Sequence, residues 1–349
     1  MAMDATRFAQ LPHGEALVQA VCGHVAADAS FGGYVQRKYR ALADPTRGAS
    51  YRIRFAYELM VAGVDLRGAT VVDAGCGSGI YTLLMLARGA ERVLAYDVFD
   101  HNVTALRRLA ETFHLPIEAV QADVSQTACA DGSIDFVYCV EAISHFHDTD
   151  AFLRECARVL QPGGRVVIAD GNNGANPLLR RRIHRDWLRS ETGPFTPDRF
   201  RRGDNLPFLY RRWLIIRDEF PDMSPEDVFH LGMHTSGLGG RALIDACWRF
   251  VDDGALPDSR YHRGMSQRRP EDGQLNEEPL DPLAIATRLR ALGVAAVARP
   301  HFGVSRGSVA VTLNRIGAAF PHMALRMART YIVHGTKPQP PLSREGGRP

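Results

Sequence analysis

The chain has almost no lysine, since Lys38 and Lys337 are the only lysines among its 42 basic residues and all others are arginine. The formal net charge is only +3 over 349 residues, so composition gives no case for general binding to nucleic acid. Arginine forks suit carboxylate and phosphate ligands, but a GC-rich genome produces the same bias. The arginine excess therefore leaves an anionic small-molecule partner open without requiring one.

Pairs of closely spaced cysteines are also missing. None of the six cysteines shows CxxC or Cys/His ligand spacing, which argues against a disulfide framework and against structural zinc. The N-terminus has no basic stretch followed by an apolar run, and no apolar stretch approaches the ~20 residues that span a bilayer. We therefore expect a cytoplasmic globular protein with no signal peptide and no membrane span.

Short apolar strands alternate with helices through the first half of the chain. The predicted strands are Val71–Asp73, Arg92–Tyr96, Ile117–Gln121, Ile134–Cys139 and Arg165–Ala169, the last one following a turn at Gln161–Gly164. Helices are predicted between them, at Ile80–Arg88, from Asp100 to His114 and at Thr149–Leu160. This spacing indicates an α/β fold with a doubly wound parallel sheet.

The pattern predicts five segments. Residues 1–67 form an N-terminal helical lid, and residues 68–173 form the nucleotide-type core. Residues 174–280 form an inserted, mainly helical cap that binds substrate, with a helix start at Ser224 and a long loop at 253–280. Residues 281–337 complete the sheet with strands at Val294–Ala298 and Thr330–His334 and a helix at Ala318–Ala328. Residues 338–349 form a flexible tail.

The loop Asp73–Gly79 reads as a ligand-binding turn at the end of the first strand. Its glycines permit a sharp turn and a close backbone approach, and the helix that begins near Ile80 directs free N–H groups at the same space. The glycine spacing is GxGxG, whereas dinucleotide sites use GxGxxG. Asp73 would face a pyrophosphate unfavourably, but it suits an ammonium group such as that of S-adenosylmethionine.

Two further aspartates follow the next two strands. Asp97 ends the second strand, where a carboxylate can accept hydrogen bonds from ribose hydroxyls. Asp123 follows the third strand and can accept from an adenine amino group. An isolated aspartate is often only a loop or cap residue, but acids at three successive strand ends favour S-adenosylmethionine as the cofactor.

Residues 70–170 resemble the core of class I S-adenosylmethionine-dependent methyltransferases. Val71–Gly79 is similar to the first motif of that family, Asp135–His145 to its strand-four motif, and Arg158–Gly164 to its "RVLKPGG" turn, with Gln161 in place of lysine. The resemblance implies a seven-stranded Rossmann-like sheet whose last strand is antiparallel. It also implies that Asp73, Asp97 and Asp123, the residues near them and Val140 after the fourth strand bind the cofactor; these further residues are Gly75, Cys76, Gly77, Gly79, Val98, Ala122, Val124 and Val140.

Candidate catalytic residues follow the fourth strand. His145 matches a family position that commonly faces the methyl group, so it is the predicted base for methylation of oxygen. Glu141 supports an alternative, because Tyr138–His145 is similar to the acidic motif of sterol and isoprenoid C-methyltransferases. In that chemistry an acid steadies a carbocation. Glu141 in a purely structural role, bonded to cofactor or backbone, is the third option.

The inserted cap, together with His147 after the fourth strand, contributes weaker candidates. His147, His230 and His234 are predicted substrate-binding residues, and the i,i+4 spacing of the last two lacks the acid of an HExxH site, so no metal is expected. Arginines from Arg180–Arg182 through Arg201-Arg202 to Arg211-Arg212 either grip an anionic acceptor group or form a solvated face. Tyr34, Tyr39 and Arg52 are candidates for a lid over the cofactor.

These patterns predict a methyltransferase of secondary metabolism that acts on a small-molecule acceptor. O-methylation of a natural-product, saccharide or lipid-like acceptor is favoured, and C-methylation of an isoprenoid or its diphosphate is the alternative. A nicotinamide-dependent oxidoreductase and a non-catalytic cofactor-binding protein are further alternatives. Homo-oligomerisation is left open.

Overall fold

Seven strands form one mixed sheet in the order β3-β2-β1-β4-β5-β7-β6. The computed structural model describes residues 12–193, 206–262, 264–303 and 309–339. The strands are β1 (Thr70–Ala74), β2 (Arg92–Asp97), β3 (Ile117–Gln121), β4 (Ile134–Val140), β5 (Leu160–Asp170), β6 (Ala295–His301) and β7 (Thr330–Thr336). Strands β1 to β5 pair in parallel, while β7 pairs antiparallel with both β5 and β6. The predicted doubly wound sheet with an antiparallel last strand is confirmed.

In the described part of the chain, three α-helices precede the sheet, and others connect its strands. The described segments between β5 and β6 are mainly helical. The helices before β6 are α1 (Pro12–Ala27), α2 (Gly32–Ala43), α3 (Pro45–Ala62), α4 (Ile80–Ala87), α5 (Asp100–Phe113), α6 (Thr149–Val159), α7 (Pro177–Thr192), α8 (Phe208–Glu219), α9 (Pro225–His234), α10 (Arg241–Asp253) and α11 (Pro282–Ala291). Helices α12 (Val309–Ala319) and α13 (Pro321–Leu325) lie between β6 and β7.

The central strands are apolar because helices cover both faces of the sheet. Val71 and Val72 of β1 point to opposite faces, and both are buried, as are Val166, Val167 and Ile168 of β5. The order of the strands reverses at β1, because β2 and β3 lie on one side of it and β4 on the other. Open α/β sheets bind ligands beyond the carboxyl ends of their strands at such a point, so the structure directs attention to the ends of β1 and β4.

Four helix starts share one pattern. Asp44, Asn176, Ser224 and Asp281 each accept hydrogen bonds from backbone N–H groups of the helix that follows, and each helix has proline in its first turn. Such caps satisfy N–H groups that have no partner inside the helix, typically for about 1 kcal/mol each. The predicted start at Ser224 is confirmed, since its hydroxyl accepts from Asp227 N at 3.1 Å.

The predicted helix at Ala318–Ala328 is wrong. The structure has α12 ending at Ala319 and a separate short helix, α13, beginning at Pro321. Proline has no N–H to continue the hydrogen bonding of a preceding helix, but it fits the first turn of a new one. The apolar spacing that extends across Phe320 therefore belongs to two helices rather than one.

The predicted turn at Gln161–Gly164 is part of an irregular strand. Strand β5 begins at Leu160, and its register with β4 shifts between the pairs Ile134/Leu160 and Phe136/Arg165. Gly163 N donates to Lys337 O at 2.7 Å, and Lys337 N donates to Gly164 O at 2.9 Å. The end of β7 therefore supplies partners to this segment, a tertiary contact that local turn propensity does not reveal.

The chain divides into two compact units. One consists of the described parts of Met1–Ile143, Asp148–Ala175 and Asp281–Pro349, and it holds the sheet. The other consists of Ser144–His147 with the described part of Asn176–Leu280. The sequence-based boundaries assigned Ser144–His147 to the core, whereas their contacts group them with the second unit. Across the described ranges, no helix is long and apolar enough to cross a membrane.

Candidate cofactor and catalytic site

The loop after β1 turns sharply and is tied to β2. Gly75 N and Cys76 N both donate to Tyr96 O at 2.9 Å, and Gly79 N donates to Cys76 O at 2.9 Å. Gly75, Gly77 and Gly79 have φ angles of 77°, 53° and 79°, which glycine adopts far more readily than other residues. A Cβ on Gly79 would lie 2.6 Å from Leu106 Cδ1. Glycine at this position therefore lets the loop pack closely against α5.

Asp97 is buried at the end of β2 and bonds directly to the loop. Its Oδ2 accepts from Gly77 N at 2.8 Å, and its Oδ1 accepts from Phe99 N at 2.9 Å and from Asn102 Nδ2 at 3.1 Å. A carboxylate offers about four acceptor positions. About one position is therefore left for a ligand, so this arrangement suits one ribose hydroxyl better than two.

Asp73 is buried at the end of β1, only 3% exposed, and its Oδ2 accepts from Thr82 Oγ1 at 2.5 Å. Burial raises the pKa of Asp73 to about 7; the hydrogen bond from Thr82 opposes the shift, and the charge of Asp97 adds to it. Two carboxyl groups thus flank the glycine loop with no described cation paired to either. This arrangement favours a ligand that brings positive charge.

Two further features agree with a ligand at this loop. A Cβ built on Gly77 meets nothing within 4 Å, so open space adjoins the backbone there. The Tyr39 hydroxyl is fully buried, lies 3.4 Å from the Cβ position of Gly79 and has no hydrogen-bond partner within the described residues. Buried polar groups are rarely left without partners. A polar ligand with cationic character therefore fits this cradle, as S-adenosylmethionine would.

The other predicted cofactor residues vary in exposure. Asp123 is exposed, and its Oδ1 accepts from Ser125 N at 2.8 Å, which is the hydrogen bond of a local turn. Val98 is 39% exposed, whereas Val124 and Val140 are buried. Ala122 N donates to Asp97 O at 3.2 Å, which ties the β3 loop to the end of β2. Their predicted contacts with the cofactor stay predictions.

Cys76 is buried within the loop and contributes mainly through its backbone. Burial raises the pKa of its thiol well above the ordinary value, and the nearby carboxyl groups of Asp73 and Asp97 act in the same direction. A thiol that stays protonated is a poor nucleophile. The structure gives Cys76 no chemical role beyond shaping the turn.

Glu141 follows β4 directly and is held by the first unit. Its Oε1 lies 2.7 Å from Arg54 Nη2, and its Oε2 accepts from Gly171 N at 3.2 Å. The backbone at Glu141 has a φ of 52°, which is rare for a residue other than glycine. An acid therefore stands at the carboxyl end of β4, and a guanidinium group already offsets its charge.

His145 closes a short 3₁₀ helix, Ile143–His145, and lies in the second unit. Its Nε2 is 4.0 Å from Glu277 Oε1, and both side chains are about half exposed. Glu278 N donates to Ser144 O at 2.8 Å, which anchors the segment that carries Glu277 beside this helix. The structure thus pairs the predicted base with a carboxylate that sequence reasoning did not single out. His147 is exposed.

His230 and His234 lie one turn apart on α9. The Nε2 of His230 is 3.8 Å from Glu226 Oε1 on the same helix. Both ring nitrogens of His234 are engaged, because Nδ1 lies 3.0 Å from Pro257 O and Nε2 accepts from Arg260 Nε at 2.7 Å. Substrate binding by His234 would require one of these bonds to break. The described residues contain no group of three side chains arranged to hold a metal ion.

The arginine-rich stretch is partly committed to internal contacts. Arg212 is fully buried and is bonded to Glu191 and Ser236, while Arg211 pairs with Glu271. These two arginines are therefore structural, which corrects the suggestion that they grip an acceptor; Arg201 and Arg202 lie outside the described residues. Arg52 is also structural, since it bonds Glu15 and the carbonyl of Leu42 rather than covering the cofactor loop.

Sequence reasoning missed Arg54, Glu58 and Tyr138. Arg54 and Glu58 form an i,i+4 pair on α3, a spacing that is common on solvated helix faces. Tyr138 lies inside an apolar strand and reads as a core aromatic residue. Only the fold brings the three together beside Glu141, so no local signal distinguished them.

Comparison with known proteins agrees with the fold and the cofactor loop. Residues 72–168 match the family model of a methyltransferase domain, which spans β1 to β5. The chain carries a class I S-adenosylmethionine-dependent methyltransferase domain, and S-adenosylmethionine is the cofactor of that domain. The predicted family, enzyme class and cofactor are thereby confirmed at the level of this domain, as the sheet order confirmed the fold class, and the nicotinamide alternative is set aside.

The similar curated proteins include several named as O-methyltransferases. The ubiquinone biosynthesis O-methyltransferase of Xanthomonas oryzae pv. oryzae is 36% identical over 117 residues, which cover 32% of this chain and 46% of that protein. The protein of the same name from Neisseria meningitidis is 32% identical over 126 residues, covering 36% and 53%. The chain thus spans about half the length of the curated relatives it matches.

Among solved structures, an S-adenosylmethionine-dependent methyltransferase from Mesorhizobium loti aligns with 80% of this chain and 96% of its own length. The sequence identity is 14%, and the TM-score is 0.42. At these values the likeness adds nothing about the acceptor.

Proposed function

We propose that this protein transfers the methyl group of S-adenosylmethionine to a hydroxyl oxygen of a small-molecule acceptor. The choice of oxygen depends on one observation. His145, which lies shortly after β4 in the chain, is paired with Glu277. The O-methyltransferase names of the partial relatives support the same choice. The matched region ends before most of the second unit, so the relatives do not specify the acceptor.

A hydroxyl acceptor must lose its proton when its oxygen takes a methyl group. S-adenosylmethionine supplies an electrophilic methyl on a sulfonium. We assign His145 as the base that accepts the hydroxyl proton, a role typically worth ~10²–10⁴-fold in rate. The Glu277 carboxylate, whose Oε1 is 4.0 Å from Nε2 of His145, lies beside the ring that receives this proton.

In this proposal the first unit binds the cofactor. Asp73 accepts from its ammonium group, the remaining acceptor position of Asp97 takes one ribose hydroxyl, and Asp123 accepts from the adenine amino group. Tyr39 gains a partner for its buried hydroxyl. The glycine loop permits close approach of the ligand to the backbone.

C-methylation of an isoprenoid-like acceptor is the second candidate. It is favoured by the Glu141 side chain, which stands at the end of β4 and is 47% exposed. The ion pair with Arg54 weakens this candidate, because a guanidinium at 2.7 Å offsets the negative charge that would steady a carbocation. We therefore rank oxygen first.

The deciding experiment supplies S-adenosylmethionine labelled in its methyl group together with a panel of small phenols, polyols and isoprenoid diphosphates. We expect label on the oxygen of a hydroxylated acceptor. His145→Gln should lower kcat by about 10²-fold without changing affinity for S-adenosylhomocysteine. His322→Gln, an exposed histidine on α13, serves as the matched control and should match the unsubstituted protein.

Two results would contradict the proposal. Label attached to carbon would support the second candidate instead. Full activity in His145→Gln would remove the assigned base even if the product carries the methyl on oxygen.

A further inference from the structure

Glu141 has a left-handed backbone conformation at the end of β4. Among the non-glycine residues of the described ranges, only His114 also has a positive φ, and it ends α5 as a C-cap residue. For glutamate this conformation is unfavourable, because its Cβ approaches the following carbonyl oxygen too closely. Neighbouring contacts must hold the residue there, and such residues cluster at functional sites.

Three contacts hold Glu141 in place. Its backbone N donates to Ala169 O at 2.8 Å, its Oε2 accepts from Gly171 N at 3.2 Å, and its Oε1 lies 2.7 Å from Arg54 Nη2. A Cβ on Gly171 would lie 3.2 Å from Oε2, so glycine leaves room for the carboxylate. The side chain is nevertheless 47% exposed. It is fixed by the protein and still open to a ligand.

Glu58 and Tyr138 in turn hold Arg54 in position. Its Nε donates to Glu58 Oε1 at 2.9 Å, and the hydroxyl of Tyr138 donates to Glu58 Oε2. Glu58 is fully buried, so its carboxyl group has a raised pKa; the charge of Arg54 and the hydrogen bond from Tyr138 oppose this effect of burial. Arg54 is thus held between a buried acid on its own helix and an exposed acid on the sheet.

The contact between Arg54 and Glu141 is therefore more than a simple surface ion pair. Exposed pairs leave both side chains free to move and contribute little to stability. Here Glu58 fixes the guanidinium of Arg54, which in turn fixes one edge of the Glu141 carboxylate, and Gly171 N fixes the other oxygen. The remaining acceptor positions of Glu141 are preorganised for a hydrogen-bond donor.

The charges of the three groups limit the ligand that they recognise. Glu141 and Glu58 flank a single guanidinium, so the sum is −1 with Glu58 ionised and zero with Glu58 protonated. In neither state does the cluster present excess positive charge to a phosphate or carboxylate. A hydroxyl or N–H group of an uncharged acceptor fits it better than an anionic group.

We propose that Arg54 is a positioning residue that holds the Glu141 carboxylate as a hydrogen-bond acceptor for an uncharged, hydroxyl-bearing methyl acceptor. Glu58 and Tyr138 support Arg54 in this role. The proposal rests on the proposed function, and it adds the acceptor class and the device that orients the acceptor. His145 remains the assigned base, and Glu141 contributes orientation.

The test compares Arg54→Gln, the conservative Arg54→Lys, Glu141→Gln and the double variant Arg54→Gln/Glu141→Gln. Arg47→Gln is the matched control, because Arg47 lies on the same helix and is exposed. The acceptor is the panel hydroxyl compound that the unsubstituted protein methylates fastest. Crystal structures of each variant with S-adenosylhomocysteine supply a second readout that does not depend on activity.

We expect Arg54→Gln to raise KM or lower kcat so that kcat/KM falls about tenfold, as for loss of the hydrogen bond between the acceptor hydroxyl and the charged Glu141 carboxylate. Arg54→Lys should recover part of that loss, while affinity for S-adenosylhomocysteine stays within a few fold throughout. Since the residues act as one unit, the double variant should be no worse than the poorer single variant. In the Arg54→Gln crystal the Glu141 carboxylate should leave its present position.

An unmoved Glu141 carboxylate in Arg54→Gln, or losses that add in the double variant, would overturn the proposal. So would a preference of the unsubstituted protein for anionic over uncharged acceptors. If no panel compound is methylated, the proposed function fails, and the crystal structures alone decide whether Arg54 holds Glu141. The two failures are therefore distinguishable.

Discussion

At the scale of single residues, Asp97 and Asp73 show how burial changes the chemistry of a carboxyl group. Asp97 accepts from three N–H donors, whereas Asp73 is bonded by Thr82, through its hydroxyl and its backbone N–H. The difference explains why burial dominates at Asp73 and raises its pKa. The two acids should therefore respond differently to substitution.

Replacing Asp97 with asparagine should weaken cofactor binding. The amide offers fewer acceptor positions and presents N–H groups toward Gly77 N, so both the loop and the ribose contact suffer. Loss of a hydrogen bond to a charged group costs about 1.5–3 kcal/mol, and we expect the Kd for S-adenosylhomocysteine to rise about 10- to 100-fold. Isothermal calorimetry measures this. Asp65→Asn, at an exposed site, is the control, and an equal loss there would contradict the assignment.

Cofactor affinity should depend on pH through Asp73. Its pKa of about 7 means that the free protein holds a proton that a cationic ligand must displace. Affinity for S-adenosylhomocysteine should therefore rise about tenfold per pH unit between roughly pH 5 and 7 and then level off. Calorimetry in buffers of different ionisation enthalpy measures the proton released. Asp73→Asn should remove both the slope and the proton release; persistence of either would refute this origin.

The same shift affects the stability of the ligand-free protein. The folded-state pKa lies above the unfolded value, so the contribution of Asp73 to stability is fully present below about pH 4. It is lost as the pH rises through about 7. The cofactor therefore binds most strongly where this acid destabilises the empty site most.

At the scale of elements, substitution of a loop glycine with positive φ can affect both folding stability and cofactor affinity, and these two effects can be measured apart. Gly77 and Gly68 both have positive φ, and a Cβ on either meets nothing within 4 Å. Alanine at each position should therefore destabilise the fold to a similar extent, by about 1–2 kcal/mol. The two differ only in that Gly77 faces the proposed cofactor space.

Gly77→Ala should consequently lose cofactor affinity while Gly68→Ala keeps it. We expect an increase in Kd for S-adenosylhomocysteine of about tenfold or more for Gly77→Ala, because the added methyl occupies ligand space that close backbone approach requires. Thermal unfolding without ligand should give similar shifts for the two variants. Equal affinities in the two variants would place the cofactor elsewhere.

At the scale of the whole molecule, the second unit contains a buried ion pair in its core. Arg212 is fully buried, and its guanidinium is bonded to Glu191, to Ser236 and to the carbonyl of Gly232. Breaking a buried pair by removing one partner leaves an uncompensated charge, whereas replacing both partners with apolar residues is often tolerated. This predicts a specific pattern of stabilities.

Arg212→Met should lower the free energy of unfolding by about 3–5 kcal/mol, and the double variant Arg212→Met/Glu191→Leu should recover much of that loss. Urea unfolding measures both. Arg217→Met is the control, because Arg217 and Asp218 are largely exposed and 3.7 Å apart, so a change of at most about 0.5 kcal/mol is expected. A double variant as unstable as the single one would show that the pair has a further role.

Sequence alone was sufficient for the elements whose signals are local. The strand order along the chain, the glycine loop and the acids at strand ends follow from hydrophobic periodicity and from backbone requirements of short segments. The break at Pro321 was missed, because apolar spacing on both sides of it mimicked a single helix. The start of β5 was missed because the partners of this segment, Ile134 and Lys337, are distant in the chain.

The amino-acid sequence by itself determined the parallel core, the position of the methyl-donor loop and the family, because these depend on residues close together in the chain. Only the tertiary structure showed that Arg212 is internal, that Glu277 faces His145 and that Arg54 links Glu58 to Glu141. Arg212, His145 and Arg54 meet carboxylates that are distant in the chain, at Glu191, Glu277 and Glu141, and ordinary charged side chains carry no local mark of such partners. The methyl-donor loop was therefore readable in advance, whereas the proposed apparatus for the acceptor became visible only in the fold.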